Sequence, residues 1–152
     1  MYPILCQNTF LNSLYYFNYI FAGFLRELEE LVKRILVDMS LTIVHHGHIR
    51  LLKKASELGT VIVALTTDDE IARIKGFTPS LSFDHRKEIA LSIKYVDEVV
   101  ESSWLINELF LDQHKIDFLV HGDDNTNPIP TERLIIFPRT AGIDSSKFYQ
   151  ES

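Results

Sequence analysis

Three histidines fall within four residues, His45, His46 and His48, with Gly47 among them, in the stretch LTIVHHGHIRLLKKASELG. Imidazoles so crowded can be ordinary core and surface residues, metal ligands, or hydrogen-bond donors to a phosphate. Three side chains this close at a strand-to-helix turn cannot all face one ion, and the single cysteine, Cys6, offers no thiolate cluster, so zinc is disfavoured. Phosphate handling suits the position better. A helix opening near Gly47 turns its free N–H groups and positive dipole end toward an anion, and a glycine there admits the close approach that a side chain would block. Four more polar clusters recur at corresponding places: Lys75, Arg86, HGDD at 121–124 and RTAGIDSSK at 139–147.

The elements that must carry these clusters can be traced from hydrophobic spacing. RILVDM is a short β-prone run ahead of the histidines, and Leu51, Leu52, Ala55 and Leu58 then line one side of a helix that Gly59 is expected to end in left-handed backbone. TVIVALTT is continuously apolar, as in a parallel strand covered on both faces. A loop holding Lys75, Gly76 and Pro79 follows. Ser82 is expected to cap a helix over FDHRKEIALSIKY, then VDEVVE to form a strand and WLINELFLDQHK a helix, with DFLVHG and RLIIFP as two further strands. Strands alternating with helices join by right-handed crossovers, which gives an α/β fold with a doubly wound, parallel five-stranded sheet and helices on both faces. In such sheets ligands sit beyond the carboxyl ends of the strands, where the polar clusters fall.

The 152 residues carry a net charge of −6 and a pI near 5.4, which argues against a general nucleic-acid binder and leaves room for a local basic patch. A lone cysteine fits a reducing, cytoplasmic setting. Residues 1–32 form an aromatic, helical extension in which the first charged residue is Arg26. Gln7, Asn8, Asn12 and Asn18 interrupt its apolar character, so stable membrane insertion is not expected. Exposed aromatics are costly, and burial in a homodimer or against the domain is the expected remedy.

His45-His46-Gly47-His48 matches the HxGH motif of the nucleotidyltransferase superfamily, and RTAGIDSSK is similar to the RTxGISTTK element of its cytidylyltransferase branch. HGDD and IKYVDEVV also resemble segments of that branch. The resemblance runs from about Arg34 to Lys147 and is greatest to enzymes that activate glycerol 3-phosphate, phosphoethanolamine or aminoethylphosphonate. It implies a Rossmann-like nucleotidyltransferase domain over 33–152 that transfers CMP from CTP to a small phosphorylated acceptor, with Mg2+ carried mainly by the nucleotide phosphates and no protein metal ligands.

The resemblance also implies roles. His45 and His48 would bond the α- and β-phosphates, with Gly47 between them. Lys75 and Arg139 would clamp the triphosphate, and Arg86 would neutralise a phosphate. Thr140, Ser145 and Ser146 would surround the β- and γ-phosphates, Asp124 would meet the base or ribose, and Asp97 and Trp104 would contact the acceptor. The chain departs from the family where GxFD becomes Met39-Ser40-Leu41-Thr42, where a second loop lysine becomes Phe77, and at Lys94, Asn125 and Asp144. These departures suggest a different acceptor or reduced activity. Adenylyl transfer on the same fold and a nucleotide-binding module without turnover are the alternatives.

Overall fold

The computed structural model describes residues 5–140, with side chains described for 15–28 and 31–140. The chain divides into two compact units that meet between Val32 and Lys33. The first contains one helix, α1 (Leu5–Leu31). The second is built on β1 (Arg34–Met39), β2 (Thr60–Thr66), β3 (Glu98–Ser102), β4 (Phe118–Gly122) and β5 (Leu134–Phe137). All four pairings are parallel and the strand order is β3-β2-β1-β4-β5, the arrangement expected from the alternating pattern.

Both faces of this sheet are covered. Ile35, Val37 and Met39 of β1 point to one side, where they join Leu52 and Ala55 of α2 (His46–Ser56) and Ala90 of α4 (Phe83–Leu91). Leu36 points to the other side, with Ile62, Leu119 and Leu111 of α5 (Glu108–Gln113). Because side chains alternate along a strand, a run apolar at every position can form only where both faces are dry, and β2 is buried at six of its seven positions.

Three local expectations are corrected. The segment expected as a loop around Lys75 contains α3 (Asp68–Lys75), started by the Thr67 hydroxyl accepting the Glu70 N–H and ended by Gly76 at φ 75°. Its eight residues bury only Ile71, too little apolar periodicity to signal a helix. Gly59 does not supply a left-handed cap: α2 stops at Ser56, and Gly59 is small because a Cβ there would lie 2.1 Å from the Lys33 carbonyl oxygen. The helix expected from Trp104 begins only at Glu108, where the Asn107 side chain accepts the Phe110 N–H. Beyond Thr140 the RTAGIDSSK segment lies outside the described residues.

Candidate active site

The register of the sheet decides where a ligand can enter. β1 and β4 are paired as far as Val37 and Val120, and the next residues, Asp38 and His121, stand where the two strands part. From β1 the chain leaves toward β2 on one side, and from β4 toward β5 on the other, so their carboxyl ends open a crevice. A cavity of about 290 Å3 occupies it.

The histidine motif forms one wall. His45 is the N-cap of α2, in extended backbone, and the helix starts at His46. His48 Nδ1 accepts the His45 backbone N–H at 3.3 Å, which fixes the neutral tautomer and leaves Nε2 with the proton. The His45 and His48 rings stack with centroids 3.8 Å apart. Burial, reinforced by His45, Lys75 and Arg139, pushes His48 down to about 4, so its imidazole is neutral near pH 7 in the free protein. Gly47 has a direct structural reason: a Cβ there would stand 3.0 Å from His45 Cε1 and Nδ1 and displace the ring.

Cations supply the opposite charge to a polyphosphate. Arg50 and Lys54 follow His46 by about one and two helical turns and line the cavity with Arg139 and Thr140. Sequence reasoning passed over Arg50 and Lys54, although their spacing from His46 and Gly47 places them on the same helix face. Lys75, at the end of α3, reaches the rim: its Nζ donates to Ser40 Oγ at 3.2 Å and lies 5.4 Å from the Trp104 ring. Burial and then Arg86 lower its pKa. Asp124 is paired to Arg139 at 3.1 Å, and Gly122 makes room for this pair, since a Cβ would stand 2.9 Å from Asp124 Oδ1.

Two expected site residues are elsewhere. Arg86 does not line the cavity; it is fully buried and holds loop carbonyls, donating to the Ser40 oxygen and, at 2.9 Å, to the Thr66 oxygen, while it pairs with Asp68 at 2.6 Å. Through its two terminal nitrogens the guanidinium ties the ends of β1 and β2 to the start of α3 and α4. Asp97 accepts the Val61 N–H at 2.7 Å, one residue before β3 and therefore at the amino end of the sheet, away from the cavity. Trp104 does line the cavity, with its backbone N–H bonded to Glu70. Ser145 and Ser146 lie outside the described residues.

Asp38 is a further residue that sequence reasoning missed. It interrupts the apolar run Ile35–Met39 of β1, and it is one of the residues lining the cavity. Oδ2 accepts from the buried Asn127 side chain at 3.0 Å. Oδ1 is buried with no hydrogen-bond partner, and His121 Nε2 is 3.5 Å away, too far for a good hydrogen bond. Burial raises the Asp38 pKa, against the partial relief given by His121 and Asn127. Asn127 is itself fixed, because its Oδ1 accepts the Ile106 N–H at 2.7 Å.

The residues also bear on magnesium. Among the described residues no group of three or more His, Cys, Asp or Glu is placed to hold an ion, and of the cavity carboxylates Asp124 is committed to Arg139. The described residues therefore present no metal cage.

Comparison with known proteins agrees with this geometry. A family model described as cytidylyltransferase-like matches residues 42–145. The chain belongs to the cytidylyltransferase-like family. It is thus a nucleotidyltransferase, and the matched segment includes α2 with the histidines at its start. The chain is similar to glycerol-3-phosphate cytidylyltransferase of Bacillus subtilis (strain 168), 33% identical over 125 residues that cover 79% of this chain and 97% of that protein. It is also similar to ethanolamine-phosphate cytidylyltransferase of Mus musculus, 37% identical over 107 residues covering 69% of this chain and 26% of that protein. Among solved structures, the lipopolysaccharide core biosynthesis protein of Thermoplasma volcanium GSS1 shares the fold, with a TM-score of 0.60 at 19% identity, covering 72% of this chain and 98% of that one.

Proposed function

We propose that this cytidylyltransferase-like protein transfers CMP from CTP to a phosphate or phosphonate oxygen of a small acceptor that also carries an amine. The acceptor oxygen attacks the α-phosphorus in line, the bond from that phosphorus to the bridging oxygen breaks, and the electron pair leaves with pyrophosphate. A phosphate dianion is already a competent nucleophile, so catalysis reduces to positioning and charge stabilisation. His48 Nε2–H and the His45 ring would meet the α- and β-phosphate oxygens at the positive end of α2. Arg139, Lys75, Arg50 and Lys54 would neutralise the triphosphate, with Thr140, Ser145 and Ser146 as hydroxyl donors around it and magnesium arriving with the nucleotide. Asp124, held by Arg139, would face the base or ribose, and Trp104 would wall the acceptor.

The observation that carries the choice of acceptor is the acidic side chain of Asp38 among the residues lining the cavity, with its Oδ1 buried and without a hydrogen-bond partner in the free protein. A buried carboxylate lacking a full partner is costly, and an ammonium group from the substrate would repay it. A relative named for ethanolamine phosphate is named for an acceptor with such an ammonium group. A neutral polyol such as glycerol 3-phosphate would leave Asp38 without its counter-charge.

The deciding experiment is pyrophosphate release from CTP or ATP with magnesium, against phosphoethanolamine, 2-aminoethylphosphonate, phosphocholine and glycerol 3-phosphate. Turnover is expected with CTP and an amine-bearing acceptor, and is expected to be lost in His48→Ala. A preference for glycerol 3-phosphate would keep the nucleotide half of the proposal and refute the amine. Tight CTP binding with no release for any acceptor would favour a module without turnover, a reading to which the left-handed Leu41 (φ 47°) and the partnerless Thr42 hydroxyl in place of GxFD lend some weight.

A further inference from the structure

Trp104 lines the cavity from the segment between β3 and α5, which has no regular structure of its own. Backbone bonds tie that segment down at every second residue. The Ser102 carbonyl accepts the Thr67 N–H at 3.2 Å, the Trp104 N–H donates to Glu70 Oε2 at 2.9 Å, and the Ile106 N–H donates to Asn127 Oδ1 at 2.7 Å. The middle tie, the one that reaches the tryptophan itself, comes from the first turn of α3.

Glu70 is diverted to this task from an ordinary local one. Thr67-Asp68-Asp69-Glu70 has the spacing of a capping box, in which the glutamate turns back to the N–H of the capping residue. Half of the box is present, since the Thr67 hydroxyl accepts the Glu70 N–H. The other half is not: the Thr67 N–H goes to Ser102, and the Glu70 carboxylate goes to Trp104. Arg73, one turn further on, donates Nε to Oε1 at 2.9 Å and Nη2 to Oε2 at 2.8 Å. Two parallel bonds of this kind fix the plane of a carboxylate and so aim Oε2 at its third partner. The Arg73 fork and the Trp104 N–H hold the Glu70 carboxyl down to about 2, so it is ionised across the neutral range.

The same helix meets Trp104 a second time. Lys75, the last residue of α3, carries its Nζ 5.4 Å from the centroid of the indole ring. One end of α3 therefore holds the backbone of Trp104 and the other faces its ring.

We propose that Glu70 is a positioning residue for the transfer reaction: with its carboxylate locked by Arg73, it holds the Trp104 backbone so that the indole stands as a wall of the acceptor site. The inference rests on the reading of Trp104 as an acceptor contact. Glu70 is not among the residues that line the cavity, so it acts through Trp104. Without it, residues 103–105 have only the ties at Ser102 and Ile106 on either side, and a segment short of hydrogen bonds opens locally.

Trp104 is the single tryptophan of the chain, so its fluorescence reports the wall directly. In Glu70→Ala, acrylamide quenching of that emission should rise about twofold as the segment opens. Pyrophosphate release at saturating CTP should show the KM for phosphoethanolamine raised about fivefold, with kcat and the KM for CTP within about twofold of the parent. Glu70→Gln keeps an oxygen for the Trp104 N–H and should recover most of both effects. Unchanged quenching in Glu70→Ala would overturn the proposal, because the ring would then be held without the carboxylate. Equal rises in both KM values, or a fall in kcat alone, would also overturn it and leave Glu70 a general structural role. A failure of the acceptor reading is told apart by a different arm: Trp104→Ala with an unaltered KM for phosphoethanolamine, or a parent that turns over no acceptor, removes the wall and the proposal with it, even where quenching rises as expected.

Discussion

Asp38 has one environment in the free protein and another if an ammonium arrives, and that makes it the most informative single residue. Burial raises its pKa and leaves one carboxylate oxygen without a hydrogen bond. Asp38→Asn should raise KM for an amine-bearing acceptor at least tenfold, with a smaller change for CTP, measured by pyrophosphate release at pH 7. The same variant should melt at a higher temperature, by about 2–4 °C for a gain near 1 kcal/mol, because a buried charge is removed. An unchanged KM together with a lower melting temperature would mean a structural role. In the sequence the histidine motif was legible because its chemistry is local: cap, tautomer and ring stacking all lie within four residues. Asp38 was not, because its meaning comes from His121 and Asn127, which are distant in sequence and are brought beside it by the parting of β1 and β4.

Elements obeyed their hydrophobic pattern where they build the sheet and departed from it where they are short. All five strands were readable from apolar runs, whereas α3, with one buried residue, depends on the Thr67 cap and on Arg86. Arg86 looked like a phosphate ligand because a cation near such a motif usually meets solvent or substrate. Its burial became visible only once the ends of β1 and β2 were in place with their carbonyls turned inward. Arg86→Met would leave the Ser40 and Thr66 carbonyls without these donors and Asp68 without its partner. The expected loss is about 3 kcal/mol, read as a lower urea midpoint at unchanged slope. CTP affinity of the folded fraction should stay within about threefold of the parent, because Arg86 does not reach the cavity. A large loss of CTP affinity at unaltered stability would return Arg86 to the phosphates.

At the scale of the whole molecule the two buried titrating groups of the site act on folding with opposite sign. His48 titrates near 4 in the folded protein against about 6.5 when unfolded, so between these values the unfolded chain takes up a proton that the folded one refuses. Stability therefore falls as pH drops from 6.5 to 4, by up to about 3 kcal/mol. Asp38 is raised above 3.8, so within its window the folded state is the one that holds the proton, and stability falls instead as pH rises. Urea unfolding between pH 4 and 7 should show the acid loss steepened in Asp38→Asn and flattened in His48→Asn; equal slopes in both variants would refute the assignment. Binding of an anionic triphosphate should reverse the His48 shift, since the negative charge it brings favours imidazolium. CTP binding should then take up a proton from solution between pH 4 and 6.5. Calorimetry at pH 5.5 in two buffers of different ionisation enthalpy reads that proton directly: the binding heat should differ between buffers in the parent and coincide in His48→Asn. Heats independent of buffer in the parent would mean that the imidazole stays neutral beside the phosphates, and that the fixed tautomer alone, through Nε2–H, provides its contribution.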